Sequence, residues 1–327
     1  MKKLFALLLA ACMVLSLVAC GGNNTPAQGD ETSDGEETYT VGICQLVQHV
    51  ALDAATQGFK DALNELLPGK VTFKEGNAGG ESTNCATIVN GFVSDGVDLI
   101  MANATPALTA AASATSTIPV LGTSVTAYGL ALDLDDFDGT VGGNISGTSD
   151  LADLEKQAQM VKEWFPDAKT VGMLYCSAEP NSLYQIEEMT KYLTELGYTC
   201  QNFAFTDTND VTSVTQAACD ACDVIYIPTD NVAAANTEAI ANVLVPAGVP
   251  AAVGEEGICA GCGVCTLSIS YYDLGYTTGQ MAAKILTGEA DVSAMPVEYA
   301  PCTPKYNAEL CEKLGITPVE GYEAIKG

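Results

Sequence analysis

The sequence predicts an α/β protein with two Rossmann-like lobes, each of them a parallel sheet flanked by helices. Two observations predict this class. Short apolar runs typical of buried strands alternate with segments of helical periodicity, which is the pattern of parallel sheets covered by helices. The alternation begins at about Tyr39 and restarts after about Asn144, and 327 residues are enough for two similar lobes.

The first series contains four predicted strands and three predicted helices. The strands are Tyr39–Gln45, Val71–Glu75, Asp98–Ala102 and Ile118–Leu121. The helices are His49–Leu66, Thr83–Ser94 and Thr105–Ser116. Pro106 stands in the first turn of the last helix, where its missing N–H costs no hydrogen bond.

The second series repeats this pattern. Its predicted helices are Asp150–Trp164, Asn181–Leu196, Val211–Cys219, Val232–Val245 and Leu274–Leu286. Its predicted strands are Thr170–Tyr175, Thr199–Phe205, Val224–Ile227, Ala251–Val253 and Cys265–Ser270. Ligands of such sheets bind beyond the carboxyl ends of the strands, so we expect a site in the cleft between the lobes.

The N-terminus predicts export and a lipid anchor. Lys2 and Lys3 precede an uncharged apolar run, Leu4–Val18, which is shorter than the roughly 20 residues that span a bilayer. These features predict a signal peptide at residues 1–19. Cys20 follows small residues as in a bacterial lipobox, so we expect it to be lipidated. The alternative is an ordinary signal peptide in which Cys20 is incidental. Residues 20–38 are polar and predict a disordered linker.

Charge and composition exclude several functions. The formal charge is −28 at pH 7, whereas nucleic acids and anionic lipids require a positive surface. His49 is the single histidine, which excludes a multi-histidine metal site. The sequence contains no G-x-S-x-G, H-E-x-x-H, Walker A or dinucleotide-binding motif in a strand–helix context. We therefore expect neither catalytic residues nor a cofactor.

The 13 cysteines leave three interpretations open. Cys219 and Cys222, and then Cys259, Cys262 and Cys265, have spacings found in zinc and iron–sulfur sites. A disulfide within the same group is a second interpretation. Core thiols are the third, because most of the other cysteines lie in apolar strand or helix patterns.

Six groups of residues resemble one known family. They are Val41–Asp53 with Gly58-Phe59, Asn77-Ala78 with Gly80, Ala104–Ala107, Tyr175 with Glu179–Ser182, Tyr226–Asn231, and Ser270–Gly275 followed by Met281–Leu286. In this order they resemble the ABC-transporter substrate-binding lipoproteins related to the tryptophan/tyrosine-uptake receptor. Two departures concern the loop Thr123–Gly129, which lacks an Asp-Pro pair, and the cysteine-rich stretch 257–265.

The resemblance implies a type I periplasmic-binding fold with three crossovers between the lobes. Lobe one would comprise residues 39–145 and 271–296, and lobe two residues 146–270 and 297–327. It also implies a monomer outside the cytoplasmic membrane, anchored through Cys20. This protein would capture a small ligand, such as an aromatic amino acid, and deliver it to an ABC permease and its ATPase.

A free amino acid needs an acceptor for its ammonium group and donors for its carboxylate. Asp230 follows a predicted strand and is the expected ammonium partner, with Glu179 as a possible second. Asn181 and Ser182 begin a helix, whose N-terminus attracts anions, and are expected carboxylate donors. Thr105 and Ser124 occupy equivalent places in lobe one.

Further ligand contacts are expected on both sides of the cleft. Gln45, Gln48 and His49 follow the first strand, and Tyr128 and Tyr271 are candidates for stacking on an aromatic ligand. For Asp230 and Asn181 the alternative role is helix capping, and for Tyr271 it is core packing. The alternative functions are a receptor of the same fold for a purine nucleoside or a sugar, and a metal or iron–sulfur protein using the clustered cysteines.

Overall fold

The computed structural model describes residues 37–325. The predicted signal peptide (1–19), the lipid site at Cys20 and nearly all of the linker (20–38) lie outside this range. No helix within residues 37–325 is long and apolar enough to cross a membrane.

The first sheet has six parallel strands in the order β11-β5-β4-β3-β1-β2. Short apolar sequences form its centre: all residues of Leu99–Asn103 and Val120–Val125 are buried, as expected for strands covered on both faces. The strands are β1 Tyr39–Gln45, β2 Val71–Asn77, β3 Leu99–Asn103, β4 Val120–Val125, β5 Ile145–Ser149 and β11 Glu298–Tyr299.

The second sheet has seven strands in the order β13-β12-β10-β9-β8-β6-β7. It is parallel except where β10 and β12 pair antiparallel. Its strands are β6 Thr170–Cys176, β7 Thr199–Phe205, β8 Val224–Ile227, β9 Ala251–Val253, β10 Cys265–Ser268, β12 Thr303–Tyr306 and β13 Glu323–Ala324.

Helices flank both sheets. Those between strands of the first sheet are α1 Val50–Leu66, α2 Ser82–Asp95, α3 Thr105–Ala114 and the short α4 Tyr128–Ala131. Those that follow are α5 Leu154–Trp164, α6 Pro180–Glu195, α7 Val211–Ala221, α8 Asn231–Ala235, α9 Thr237–Ala247, α10 Glu256–Gly261, α11 Tyr271–Leu286 and α12 Ala308–Leu314. A 3₁₀ turn spans Val292–Ala294.

The chain passes between the sheets three times: from β5 to α5, from β10 to α11 and from β11 to β12. Two parallel-sheet lobes with flanking helices form the type I periplasmic-binding fold that the resemblance implies. The first sheet extends to Ser149 and later to Tyr299, beyond the expected ends at residues 145 and 296, because β5 and β11 pair with each other there.

Two glycines fix α11 against α1. A Cβ on Gly275 would overlap the carbonyl group of Ala55, and a Cβ on Gly58 would overlap the carbonyl oxygen of Tyr272. The helix backbones therefore touch directly, which only glycine allows at these positions. This contact keeps α11 on the first lobe and places its first residue, Tyr271, at the cleft.

Several elements differ from the prediction. The predicted helix Val232–Val245 is two helices, because Asn236 has a non-helical backbone that ends α8 and precedes α9. Helix α5 begins at Leu154 rather than Asp150, since the side chain of Asp153 caps it. Strand β5 was not predicted because its sequence, Ile-Ser-Gly-Thr-Ser, is mostly polar although every residue is buried.

Candidate functional site

The two lobes meet around a narrow cavity of about 10 Å³, which is room for about one water molecule. We call it the interlobe cavity. It lies beyond the carboxyl ends of strands from both sheets, as expected for this architecture. Five of the residues proposed from the sequence line it: His49, Ser124, Asn181, Asp230 and Tyr271.

Seven further lining residues were not identified from the sequence: Leu52, Thr126, Asp150, Thr229, Asn231, Ala234 and Glu255. Glu255 could have been found, because it follows the predicted strand Ala251–Val253. Asp150 could not, because the strand before it has a mostly polar sequence and Asp150 begins a segment of helical periodicity.

Asp230 joins two elements of the second lobe. Its Oδ2 accepts a hydrogen bond from the backbone N–H of Cys176 at 2.6 Å, and its Oδ1 accepts one from Ala233 at 2.8 Å. The second bond caps α8. Burial and the nearby charge of Glu179 raise the pKa of Asp230 to about 7, although the two N–H donors partly oppose the shift. A side-chain hydrogen bond from Ser182 also opposes the shift, and with three donors bound the carboxyl group keeps one lone pair for a ligand.

Two other carboxyl groups face the same cavity. Asp150 Oδ2 accepts a hydrogen bond from the Tyr271 hydroxyl at 2.7 Å, and Asp150 Oδ1 accepts one from Thr126 at 3.0 Å. Burial raises the pKa of Asp150. Glu255 accepts from the N–H groups of Gly257 and Ile258 and caps α10, and burial raises its pKa to about 7. The cavity is therefore rich in carboxyl groups.

Asn181 presents an oxygen to the cavity. Its Nδ2 donates to Glu179 Oε2 at 3.0 Å and to the carbonyl oxygen of Thr229 at 3.1 Å. Both partners are acceptors, so the amide orientation is fixed and Oδ1 is left buried without a partner. Both N–H groups of the Asn181 amide bond within the second lobe, so donation to a ligand carboxylate requires one of these bonds to break.

Ser124 is the complementary group in the first lobe. It lies in β4 with a φ of 54°, in the left-handed region that serine rarely adopts. Its Oγ is buried and has no hydrogen-bond partner. Strained backbone and an unpaired polar atom both cost free energy, and such features are concentrated at binding sites. Ser124 lines the cavity, so its unpaired hydroxyl is a candidate donor to a ligand.

His49 contacts the second lobe. Its Nε2 lies 3.3 Å from Asn231 Oδ1, while Asn231 Nδ2 donates to Glu179 at 2.8 Å. Because the Asn231 oxygen faces the ring, Nε2 carries the proton. Nδ1 accepts weakly from the N–H of Leu52 at 3.5 Å and caps α1. Burial lowers the pKa of His49, which favours this neutral form.

The structure places three of the other predicted residues on separate grooves. Gln45 and Gln48 line an open groove beside β2, and the Gln45 side chain is bound to Asp53 and Thr56. Thr105 lines an open groove formed by α2, α3 and, from the second lobe, Ala178 and Pro180. Gln48 directly precedes the cavity residue His49, but its own side chain lines the groove beside β2.

Three more predicted residues are occupied by the protein itself. Tyr128 packs in the core of the first lobe, with its hydroxyl bonded to the carbonyl oxygen of Thr148. The Glu179 carboxylate accepts N–H groups of Asn231 and Val232 at the start of α8. Ser182 is completely buried beside Asn181. None of the three lines the interlobe cavity.

The cysteines within residues 37–325 are all free thiols, and eight of the eleven are buried. Cys44, Cys85, Cys176, Cys222, Cys259, Cys262, Cys265 and Cys311 are part of hydrophobic clusters in the two lobes. In the same range, no three His, Cys, Asp or Glu side chains are arranged to hold a metal ion.

Comparison with known proteins gives one family. The family described as ABC transporter substrate binding protein matches residues 40–322. A tyrosine-binding protein from Clostridioides difficile (strain R20291) is 32% identical over 307 residues, which cover 90% of this chain and 87% of that protein.

Two solved structures are also similar. An ABC domain from Streptococcus pneumonia in complex with L-Trp has a TM-score of 0.84 at 30% identity and covers 88% of this chain and 100% of its own. A ligand-free, open substrate-binding protein with adhesive properties from Clostridium difficile has a TM-score of 0.68 at 32% identity, with coverages of 88% and 99%.

Proposed function

The chain belongs to the family of ABC transporter substrate-binding proteins, and we propose that it captures an aromatic amino acid in the interlobe cavity. One observation carries this proposal. A buried, unpaired hydroxyl from one lobe, Ser124 Oγ, and a buried, unpaired oxygen from the other, Asn181 Oδ1, face the same cavity. An amino acid offers a carboxylate to the first and an ammonium group to the second.

Asp230 is the proposed ion-pair partner of the ammonium group. It lies beside Asn181 in the cavity, and its remaining lone pair and charge suit an ammonium donor. Without a ligand, the buried carboxyl group has no cationic partner, and its raised pKa reflects this cost. Leu52, Ala234 and the Tyr271 ring supply apolar and aromatic surface for the ligand side chain.

The lobes close around the ligand in this proposal. His49 and Thr126 of the first lobe contact Asn231 and Thr229 of the second. The two solved relatives support a closed arrangement here, because the TM-score is higher for the L-Trp complex than for the ligand-free open structure at nearly equal identity. Hinge closure between two rigid lobes is the usual motion of such receptors.

The proposal also includes where the protein is located and how it delivers its ligand. The lipobox-like sequence before Cys20 supports a lipid anchor on the outer face of the cytoplasmic membrane. A monomeric closed form would then dock on an ABC permease, whose ATPase drives import, and the protein itself would perform no chemical step. In cells, Cys20→Ala should release the protein from the membrane fraction, whereas Cys12→Ala, a control within the signal peptide, should not.

A melting experiment tests the ligand class. The purified protein is heated with each amino acid, with purine nucleosides and with sugars, since a ligand that binds only the folded state raises the melting temperature. Tryptophan, tyrosine or phenylalanine should give the largest rise. A rise only with a nucleoside or a sugar would replace the proposal by a receptor of the same fold for that solute.

A further inference from the structure

Two thiols of the first lobe lie side by side. Cys44 is in β1 and Cys85 is in α2, 41 positions later in the sequence, and both are fully buried in the same hydrophobic cluster. Cys44 Sγ lies 4.0 Å from the carbonyl oxygen of Cys85, and a hydrogen bond joins the two thiols. Their sulfur atoms are therefore neighbours, although neither residue lines the interlobe cavity.

The hydrogen bond makes the two thiols chemically unequal. It lowers the pKa of Cys85 and raises the pKa of Cys44, because it stabilises the thiolate of Cys85. Burial instead raises the pKa of eight other cysteines, which are Cys176, Cys200, Cys219, Cys222, Cys259, Cys262, Cys265 and Cys311. Since the thiolate is the reactive form of cysteine, Cys85 is the more reactive member of the pair.

The start of α2 gives a route to Cys85. The helix begins at Ser82 without a side-chain cap, and Cys85 is its fourth residue. The three helical residues before Cys85 are exposed. Helix ends without caps open locally at little cost, so Cys85 can meet a small molecule from solution while β1 stays folded.

We propose that Cys44 and Cys85 are a redox pair, which a low-molecular-weight disulfide converts into a disulfide bond between β1 and α2. The Cys85 thiol gives its proton to water, and the thiolate attacks one sulfur of the oxidant, so a mixed disulfide forms and one thiolate leaves. Cys44 gives its proton to that thiolate, and its sulfur attacks the sulfur of Cys85. The second thiolate leaves and takes a proton from water. The pair loses two electrons and two protons in all, and the oxidant gains both.

The disulfide bond would fix one edge of the cleft. Ser82 and Thr83, at the start of α2, line an open groove that Ala178 and Pro180 of the second lobe complete. At the location proposed above, outside the cytoplasmic membrane, conditions are oxidising and such bonds persist. The bond joins residues 41 positions apart and restricts the unfolded chain, so the oxidised protein should be the more stable form.

Peptide mapping tests the pair. The reduced, purified protein is incubated at about pH 8 with oxidised glutathione, free thiols are alkylated, and unreduced peptides are identified by mass spectrometry. Peptides joined through Cys44 and Cys85 should form in most molecules, and the melting temperature should rise by about 5 °C. Free thiols at both positions, or a glutathione adduct on Cys85 that persists, would overturn the inference. Joined peptides that appear only in urea would also overturn it, because the folded protein then keeps the two sulfur atoms apart.

Three variants separate the roles of the two thiols. Cys44→Ala should keep a stable glutathione adduct on Cys85, because no second thiol displaces it. Cys85→Ala should leave Cys44 unmodified, since the Cys44 thiol is buried in β1. Cys259→Ala, a control at a buried cysteine of the second lobe, should form the bond between Cys44 and Cys85 as the native protein does. Absence of the adduct in Cys44→Ala, or modification of Cys44 in Cys85→Ala, would contradict the proposed order of attack.

Discussion

His49 and Asn231, which are on opposite lobes, meet across the cleft with Nε2 and Oδ1 3.3 Å apart. Asn231 is itself held by Glu179 through its backbone N–H and its Nδ2. The contact therefore links the start of α1 to a rigid corner of the second lobe. In the closure that we propose, this contact is lost when the lobes separate, so it adds stability to the closed form alone.

Replacing His49 by Asn should weaken ligand binding without loosening the fold. Asparagine is a good N-cap and can retain the cap of α1, but it is too short to reach Asn231. Loss of one neutral hydrogen bond should raise the Kd by about 2–10-fold, and mostly through faster ligand release. Stopped-flow fluorescence and calorimetry measure both quantities. An unchanged release rate, or a lower melting temperature of the ligand-free variant, would contradict this role of His49.

Ligand affinity should fall as the pH decreases below 7. Asp230 has a pKa of about 7 in the ligand-free cavity, so below that pH it is protonated and must lose a proton to pair with an ammonium group. Binding should release protons, with an affinity loss of at most about tenfold per pH unit per released proton. Calorimetry in buffers of different ionisation enthalpy measures the release. Proton release at pH 6.5 that persists unchanged in Asp230→Asn would refute this assignment.

Asp230 and Glu255 should make the protein less stable as the pH rises. A salt-bridged aspartate has the opposite effect, because its pKa is lowered by folding. The pKa values of Asp230 and Glu255 are about 7 in the folded protein, against ordinary values of 3.8 and 4.5. Between about pH 4 and pH 7 the folded state binds more protons than the unfolded chain, so the free energy of unfolding should fall as the pH rises through this window. Urea titrations at several pH values, with Asp230→Asn for comparison, measure this contribution. If the free energy of unfolding of Asp230→Asn depends on pH as that of the native protein does, Asp230 makes no such contribution.

Gly275→Ala should destabilise the protein strongly. A methyl group there would overlap the backbone of Ala55 and separate α11 from α1, and overpacking of this kind costs about 1–3 kcal/mol or more. Gly91→Ala is the matched control, because Gly91 lies within α2 with open space at its Cβ position and should gain about 0.5–1 kcal/mol. Chemical denaturation measures both. Equal effects of the two substitutions would show that the α1–α11 contact is not tight.

Much of the fold could be predicted because buried parallel strands have apolar sequences. Tyr39–Gln45 and Thr199–Phe205 were predicted with their correct ends. Strand β5 could not be predicted from the sequence, because its small polar residues are buried only through tertiary packing. The antiparallel strand β12 follows a crossover that carries no periodic signal.

The site could be predicted only in part. Ligands of parallel sheets bind beyond the carboxyl ends of the strands. This rule identified Asp230, Asn181 and Ser124, because it requires only the positions of the strands. It could not tell which polar groups are used internally. The Glu179 carboxylate accepts a hydrogen bond from the N–H of Val232 at the start of α8. The Asn181 N–H groups bond within the protein, so its oxygen is the atom left for a ligand. Such choices depend on hydrogen-bond partners that are distant in sequence.

Asp230 is the central residue of the proposed site, as the ammonium partner of the ligand. Calorimetry with L-tyrosine and L-tryptophan should compare the native protein with Asp230→Asn and with Asp153→Asn, a helix-capping aspartate outside the cavity. Asp230→Asn should weaken binding by at least about 30-fold, since a charge-assisted bond in a buried site is lost. Asp153→Asn should bind like the native protein. Equal affinities of the native protein and Asp230→Asn for both ligands would contradict the account.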